Sequence, residues 1–205
     1  MPSNAPSKST PTNATAGGYA VVSNEADQLI LVDENDVQTG TLSKAKCHDG
    51  AGHRHRAFSL FIFSATGDVL LQQRAAGKRL WPLYWSNSCC SHPRAGETAD
   101  AATHRRLQEE LGLSASLDYL YRFEYVARYG DLGSEHELCS VYAGHTDQTP
   151  AVNPTEIADW RWVAPGALST ELAQHPDRFT PWFQLEWQHI CREFSHLLQA
   201  SATTS

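Results

Sequence analysis

The chain has no excess of positive charge and no long apolar run. Its 205 residues have a formal net charge of -7, which argues against the basic surface of a general nucleic-acid binder. No uncharged apolar stretch approaches the roughly 18 residues that a membrane span requires. The start of the chain also lacks the charged and apolar regions of a secretion signal. We therefore expect neither a nucleic-acid partner nor a membrane.

A framework of paired cysteines is also lacking. The five cysteines are an odd number, and with no secretion signal they indicate reduced thiols in the cytoplasm. The hydrophobic fraction of 41% and charged fraction of 19% are ordinary for a globular domain. Residues 1–18 are almost entirely small and polar, which predicts a disordered low-complexity tail. We expect one domain over residues 19–200.

Apolar patterning predicts strands and helices in mixed order. Segments 57–63 and 69–73 flank a Gly-Asp turn and are typical of a hairpin. Segment 98–111 has no Pro or Gly and stops at Gly112, which is typical of a helix end. The other predicted strands are 29–33, 123–129, 137–143 and 156–163, and the other predicted helices are 167–174 and 182–199.

The helix over 98–111 carries paired charges. Arg105 and Glu109 are four residues apart, as are Arg106 and Glu110, so acids and guanidinium groups share adjoining faces. Carboxylates in this arrangement can hold a hard cation that bridges phosphate oxygens. The alternative is a solvated helix with surface ion pairs, which are common and contribute little stability.

A second candidate site precedes that helix. Cys90 and His92 are two residues apart, so an extended backbone would send both side chains to one face. A thiol beside a metal or an imidazolium has a lowered pKa and can act as a base. The neighbouring Cys89 is interpreted as a small buried hydrophobe.

Two further groups favour a metal. Glu135 and Glu137 alternate on a predicted strand, which suits metal ligation or a proton donor, although two acids on an exposed face would look the same. His48 and His55, with His53 between them, occur in a segment rich in His and Gly that has no apolar periodicity. We expect this segment to be a loop, and clustered imidazoles there are typical metal ligands.

Taken together, these motifs resemble a known family over roughly residues 19–195. The run from Glu97 to Leu113 is similar to the Nudix box, except that Ser91 replaces its first Gly and Arg106 replaces an acid. The full set closely resembles type 1 isopentenyl-diphosphate delta-isomerase. Its motifs here are Thr39-Gly40-Thr41-Leu42 with Lys44, His48, His55, Asn87-Ser88-x-Cys90-x-His92-Pro93, the modified box, Glu135-x-Glu137 and Pro181-Trp182.

The resemblance implies an α/β (α+β) fold, a Nudix-like mixed β-sheet sandwiched between helices with extra terminal elements. It implies interconversion of isopentenyl and dimethylallyl diphosphate through a carbocation, in isoprenoid biosynthesis, by a monomer or weak dimer. The implied metal ligands for one Mn²⁺ or Zn²⁺, or Mg²⁺, are His48, His55, His92, Glu135 and Glu137. The matching spacing favours His55 over His53.

The resemblance also implies residue roles. Glu137 with Tyr125 would give one proton, Cys90 as thiolate would take another, and the indole face of Trp182 would stabilise the carbocation. The diphosphate would be bound by Lys44, Arg74, Lys78 and Arg106, and Glu110 would hold a Mg²⁺ ion that bridges its oxygens. The weakened box favours isomerisation over hydrolysis. A Nudix diphosphohydrolase and a non-catalytic binding module remain the alternatives.

Overall fold

The computed structural model describes residues 15–16 and 19–199. The predicted tail, residues 1–18, therefore lies outside the described residues apart from Thr15–Ala16, a two-residue strand that pairs with Tyr19–Ala20. Among the described residues no helix is long and apolar enough to cross a membrane.

Eleven strands and four α-helices make up the described part of the chain. The strands are β1 Thr15–Ala16, β2 Tyr19–Ala20, β3 Gln28–Val32, β4 Gln38–Ser43, β5 His55–Phe63, β6 Val69–Arg74, β7 Trp85–Ser86, β8 Cys89–Ser91, β9 Leu117–Tyr129, β10 Gly133–His145 and β11 Ile157–Val163. The helices are α1 Lys44–Cys47, α2 Ala99–Leu111, α3 Pro165–Gln174 and α4 Pro181–Glu193. Two short 3₁₀ helices cover Pro176–Arg178 and Ser195–Leu198.

A mixed sheet in the order β11-β6-β5-β10-β9 organises the domain. Strand β5 runs parallel to β10, and the other pairs are antiparallel. Residues 57–63 of β5 are all buried, because one face packs in the same core as α4 and the other in the same core as α2. A strand that is covered on both faces is expected to be continuously apolar. The predicted mixed sheet between helices is confirmed.

Helix α2 forms where the sequence predicts it. The Thr98 hydroxyl accepts a hydrogen bond from the Ala101 N–H at 3.2 Å, which caps the first turn. Gly112 follows the helix with φ of 64°, a backbone conformation that glycine adopts without strain.

The predicted hairpin of 57–63 and 69–73 is confirmed only at its closed end. Strands β5 and β6 pair at Phe63 and Val69 alone, and β8 then pairs with β5 over Phe58 to Leu60. The insertion of β8 sets Cys90 opposite Ser59. The apolar pattern of β5 and β6 could not indicate the pairing of β5 with β8, because β8 is a later segment of the chain and the pattern of a strand does not specify its neighbour.

Other boundaries also differ from the prediction. Strand β9 begins at 117 rather than 123 and β10 covers 133–145 rather than 137–143, because their ladder continues from the Gly133–Tyr129 pair to the Gly144–Leu117 pair. The expected loop around the histidines instead begins with α1 and ends at His55, the first residue of β5. The last predicted helix stops at Glu193 rather than 199 and is followed by a 3₁₀ turn.

Candidate active site and metal centre

Five potential metal ligands converge at one end of β5 and β10. His48 follows α1, His55 begins β5, and His92 directly follows β8. Glu135 and Glu137 lie two residues apart on β10 and so project from the same face. The ligand atoms of all five residues lie within 4.8 Å of one another. The structure therefore brings together every residue of the predicted His/Glu set.

Several atoms of this cluster lack a hydrogen-bond partner. Among the described residues, His48 Nε2, His55 Nε2 and Glu135 Oε2 are buried without one. His48 Nε2 lies 2.9 Å from Glu135 Oε2, but without the alignment of a hydrogen bond. Buried polar atoms of this kind are costly unless a ligand satisfies them. Three imidazoles with two carboxylates form a donor set that suits a divalent cation, so these residues fit a metal ion.

Glu137 and His92 have pKa values that suit metal binding, whereas the pKa of His55 is raised by Glu137 although burial opposes that shift. Burial would raise the pKa of Glu137, but the neighbouring imidazoles of His55 and His92, the latter bonded to Oε1 at 2.8 Å, hold that pKa well below its usual range. Burial lowers the pKa of His92 to about 4, so this imidazole is neutral near pH 7. A neutral imidazole and an ionised carboxylate are the forms that bind cations.

Neighbouring backbone groups orient two of the ligands. The His53 carbonyl oxygen lies 2.7 Å from His55 Nδ1, which leaves Nε2 as the metal-facing nitrogen. The His53 ring is exposed, in agreement with the expected preference for His55. The His48 carbonyl accepts a hydrogen bond from Ser134 N at 3.0 Å. A Cβ at Gly133 (φ 151°) would collide with that carbonyl, so the glycine allows His48 to approach β10.

The cluster opens into a cavity of about 380 Å³. Its lining includes four of the five potential metal ligands, all but His55, together with Cys90, Tyr125, Trp182 and several cationic side chains. The predicted diphosphate-binding residues all line it: Lys44, Arg74, Lys78 and Arg106.

Cys90 and Glu137 each contact an aromatic side chain in this cavity. Tyr125 Oη donates to Glu137 Oε2 at 2.6 Å, and the two residues are paired across β9 and β10. Trp182 Nε1 donates to Cys90 Sγ at 3.2 Å. The Tyr125 and Trp182 rings lie 6.0 Å apart. Burial, followed by the charge of Glu186, raises the pKa of the Cys90 thiol to about 12, so the thiol is protonated in this structure.

Each of the four cationic side chains already has a protein partner. Arg74 donates to the Leu80 and Trp81 carbonyls at 2.9 and 3.1 Å, and its guanidinium lies 5.3 Å from the centroid of the Trp182 ring. Lys44 Nζ donates to Ser23 Oγ at 2.6 Å. These contacts fix the side chains at the cavity wall.

Arg106 and Glu110 form a buried ion pair. Arg106 Nη2 lies 2.6 Å from Glu110 Oε1 and 3.2 Å from Glu156 Oε2, and Lys78 also pairs with Glu156. Glu110 is not among the residues that line the cavity, and the metal-ligand cluster does not include it. Its predicted role as a Mg²⁺ ligand stays a prediction, and Glu110 could face a cation only if its pair with Arg106 opened.

Four residues at or beneath the site have no role in the sequence-based prediction. Glu156 pairs with the side chains of Lys78 and Arg106, and Asn87 contacts Cys90. Arg79, which lines the cavity, donates hydrogen bonds to the Ala45 and Leu132 carbonyls. Glu186 is fully buried under the sheet. No local pattern singles out Glu156, Arg79 or Glu186, because isolated charged residues usually lie on the surface. Asn87 does stand within the motif around Cys90, and that signal could have found it.

Comparison with known proteins identifies the domain class first. The model of the NUDIX domain matches residues 53–183. The crystal structure of DR0079 from Deinococcus radiodurans superposes with a TM-score of 0.60 at 24% identity, over 72% of this chain and 90% of that chain. The MutT protein from Methanosarcina mazei superposes with a TM-score of 0.58 at 16% identity, over 69% of this chain and 95% of that chain. The fold is therefore that of a Nudix domain.

Sequence relatives narrow the class. An isopentenyl-diphosphate Delta-isomerase 1 of Photorhabdus laumondii is 42% identical over 80% of this chain and 94% of its own length. The isopentenyl-diphosphate Delta-isomerase of Serratia proteamaculans is 46% identical over 77% and 87%, and that of Nocardia farcinica 45% identical over 74% and 87%. The chain belongs to the isopentenyl-diphosphate Delta-isomerase family, and the predicted resemblance is confirmed.

Proposed function

We propose that the protein interconverts isopentenyl diphosphate and dimethylallyl diphosphate by proton transfer at Cys90 and at the Glu137–Tyr125 pair. The observation that carries this proposal is a single cavity lined by a thiol, by a carboxylate with its phenol, and by four cationic side chains. The activity is the one named for the family, and it places the enzyme in isoprenoid biosynthesis.

The reaction adds one proton to the alkene and removes one from a neighbouring carbon, so it needs one donor and one acceptor. An alkene is a weak base, and its protonation requires a positioned acid in a dry site. The Cys90 thiol holds its proton and Glu137 is ionised, so in this protonation state Cys90 would give the proton, and Glu137, with Tyr125 Oη at 2.6 Å, would take the one that leaves. This direction is the reverse of the one that the resemblance implies. In the reverse direction the two roles exchange.

The carbocation that forms between these steps carries its charge on carbon and cannot accept a hydrogen bond. An aromatic face stabilises such a charge by about 0.5 to 2 kcal/mol. The Trp182 indole, which is 2% exposed and bonded to Cys90 Sγ, would present that face. Its burial also excludes the water that would trap the cation as an alcohol.

The four cationic side chains of the cavity would bind the diphosphate. Arginine and lysine side chains bind phosphate oxygens by charge-assisted hydrogen bonds, and Lys44, Arg74, Lys78 and Arg106 all reach the cavity wall. The substrate would compete with Glu156 for Lys78 and Arg106. A diphosphate bound by these side chains would bring its five-carbon chain into the cavity that Cys90 and Glu137 line.

His48, His55, His92, Glu135 and Glu137 would hold one Mn²⁺ or Zn²⁺, or Mg²⁺. The bound cation would neutralise the two buried carboxylates and fix the orientation of Glu137. Nudix enzymes that hydrolyse diphosphates use acids of the box for their metal, whereas here one of those positions is Arg106, paired with Glu110. This difference supports proton transfer over hydrolysis.

The test compares Cys90→Ala and Glu137→Gln with Cys191→Ala, a partly exposed thiol outside the cavity. Each purified protein is incubated with isopentenyl diphosphate in deuterated water and followed by NMR. We expect the two site variants to lose at least about a hundredfold in kcat, the usual contribution of general acid or base catalysis, and the control to keep full activity. Full activity in either site variant, or release of phosphate by the unsubstituted protein, would contradict the proposal.

A further inference from the structure

The side-chain amide of Asn87 is held in one orientation. Asn87 lies between β7 and β8 and is fully buried. Its Nδ2 donates to the Cys89 carbonyl at 2.9 Å and to the Leu60 carbonyl at 3.2 Å. Both amide hydrogens are therefore used by backbone oxygens, and a flip of the amide would place Oδ1 against two carbonyls.

Because Nδ2 donates to these two backbone carbonyls, Oδ1 faces the thiol of Cys90. Cys90 Sγ donates to Asn87 Oδ1 at 2.6 Å, and Ser86 Oγ donates to the same oxygen at 2.9 Å. The same sulfur accepts the indole hydrogen of Trp182 at 3.2 Å. Sγ thus lies between the Asn87 acceptor and the Trp182 donor, both of which are buried, with Ser86 Oγ at 3.5 Å and Ser59 Oγ at 4.0 Å. These contacts hold the thiol in the observed orientation.

The same network reaches the helix that carries Trp182. Ser86 Oγ and Thr180 Oγ1 are 2.9 Å apart, and Thr180 is the residue that precedes α4. The Ser86 hydroxyl therefore contacts both Asn87 and the residue before α4. It links the position of Asn87 Oδ1, which accepts from the Cys90 thiol, to that of Trp182, which donates to it.

We propose that Asn87 is the positioning residue of the Cys90 thiol, which it holds by a fixed acceptor oxygen at the rotamer that faces the substrate. Asn87 is not among the residues that line the cavity, so it acts through Cys90. The inference rests on the proposed role of Cys90. A displacement of about 1 Å at a reacting group can lower a rate about a hundredfold.

The neighbouring Ser88 offers a matched control. It is also fully buried, and its hydroxyl makes two backbone hydrogen bonds, to the Leu70 carbonyl at 2.7 Å and from Ile62 N at 2.8 Å. It makes no hydrogen bond to Cys90. If Asn87 served only to satisfy two buried carbonyls, loss of either side chain would have similar consequences.

The experiment measures kcat, KM and the rate of Cys90 alkylation by iodoacetamide, assigned by peptide mass spectrometry, in the metal-loaded full chain. Asn87→Leu keeps the number and branching of the side-chain heavy atoms but no polar atom, and Asn87→Asp keeps the acceptor but loses the two donors that orient it. We expect both variants to lose about a hundredfold in kcat with KM within about threefold, and to change the alkylation rate by at least about fivefold, which is ~1 kcal/mol at 1.4 kcal/mol per tenfold. Ser88→Ala should leave both rates within about threefold, since it keeps the Cys90 contacts.

An unchanged alkylation rate in a folded Asn87 variant, or a kcat above a third of the original, would overturn the proposal. Inactivity of Cys90→Ala tests the role of Cys90 and is separate from these readouts. A further measurement needs no variant: the Asn87 side-chain amide hydrogens of the unsubstituted protein should exchange slowly with deuterated water, because both are buried and bonded. Exchange as fast as in an exposed asparagine would refute the proposed orientation even if neither variant folds.

Discussion

Stability should fall as the pH rises because of Glu186, and a single substitution should remove that fall. Glu186 lies on the buried face of α4, four residues after Trp182 and fully buried. Its Oε1 accepts a weak hydrogen bond from Cys139 Sγ at 3.8 Å, and Oε2 has no partner. Burial, together with the like charge of Glu137, raises the pKa of Glu186 to about 8.

The direction follows from the proton binding of the two states. The folded protein keeps the Glu186 proton to about pH 8, whereas the unfolded chain releases it near the usual pKa of 4.5. Stability from this group is therefore complete below about pH 4.5 and is lost as the pH rises to about 8. At about 1.4 kcal/mol per unit, the full loss is about 5 kcal/mol, an upper value because the buried charge can relax its surroundings.

The assay is urea unfolding of the protein and of Glu186→Gln from pH 5.5 to 9. Glutamine resembles the neutral acid but cannot ionise, so the stability of the variant relative to the original protein should grow by about 3 kcal/mol over this range. In thermal unfolding the change would be roughly 6 to 12 °C. Glu193→Gln, half-exposed on the same helix, should show no such growth. A difference for Glu186→Gln that is constant with pH would refute the reasoning.

Two other substitutions test the supports of the site. Gly133→Ala should displace the His48 carbonyl and weaken metal binding at least about tenfold, because a change in a group that orients a metal ligand typically costs 10- to 100-fold in affinity. Competition with a chelator measures this affinity, and an unchanged value would contradict the account of His48. Glu156→Gln should destabilise the protein by about 1 to 3 kcal/mol, because Arg106 and Lys78 lose a buried partner. Pyrophosphate should raise its melting temperature more than that of the unsubstituted protein, and an equal rise would show that Glu156 and phosphate do not share these cations.

The sequence predicted those parts of the fold that depend on local pattern. Helix α2 has a capping Thr98 and a closing Gly112, so both ends are encoded within the segment itself. Strand β5 is apolar over 57–63 except for Ser59 and is followed by a turn, so the sequence predicted it as a strand. The pairing of β8 with β5 was not predictable in this way, because it depends on which strand completes the hydrogen bonds of β5, and no local signal carries that information.

The candidate site shows the same division. The residue types and spacings of His48, His55, His92, Glu135 and Glu137 indicated a metal group, and the structure brings all five together. Residues outside any such pattern, Glu156 and Glu186 above all, could not be predicted, since nothing in the neighbouring residues of a glutamate determines whether it is buried.

By itself the sequence determined which reactive groups this protein has: a thiol, a set of His and Glu side chains suited to a metal, a Nudix box with an arginine in place of an acid, and several lysine and arginine side chains. Only the tertiary structure decided how these groups are used. Register between β5 and β10 places His55 beside Glu137, the insertion of β8 brings Cys90 into the sheet, and α4 covers the sulfur with Trp182. These contacts join residues far apart in the chain, and burial at those contacts is what changes their pKa values and gives them their reactivity.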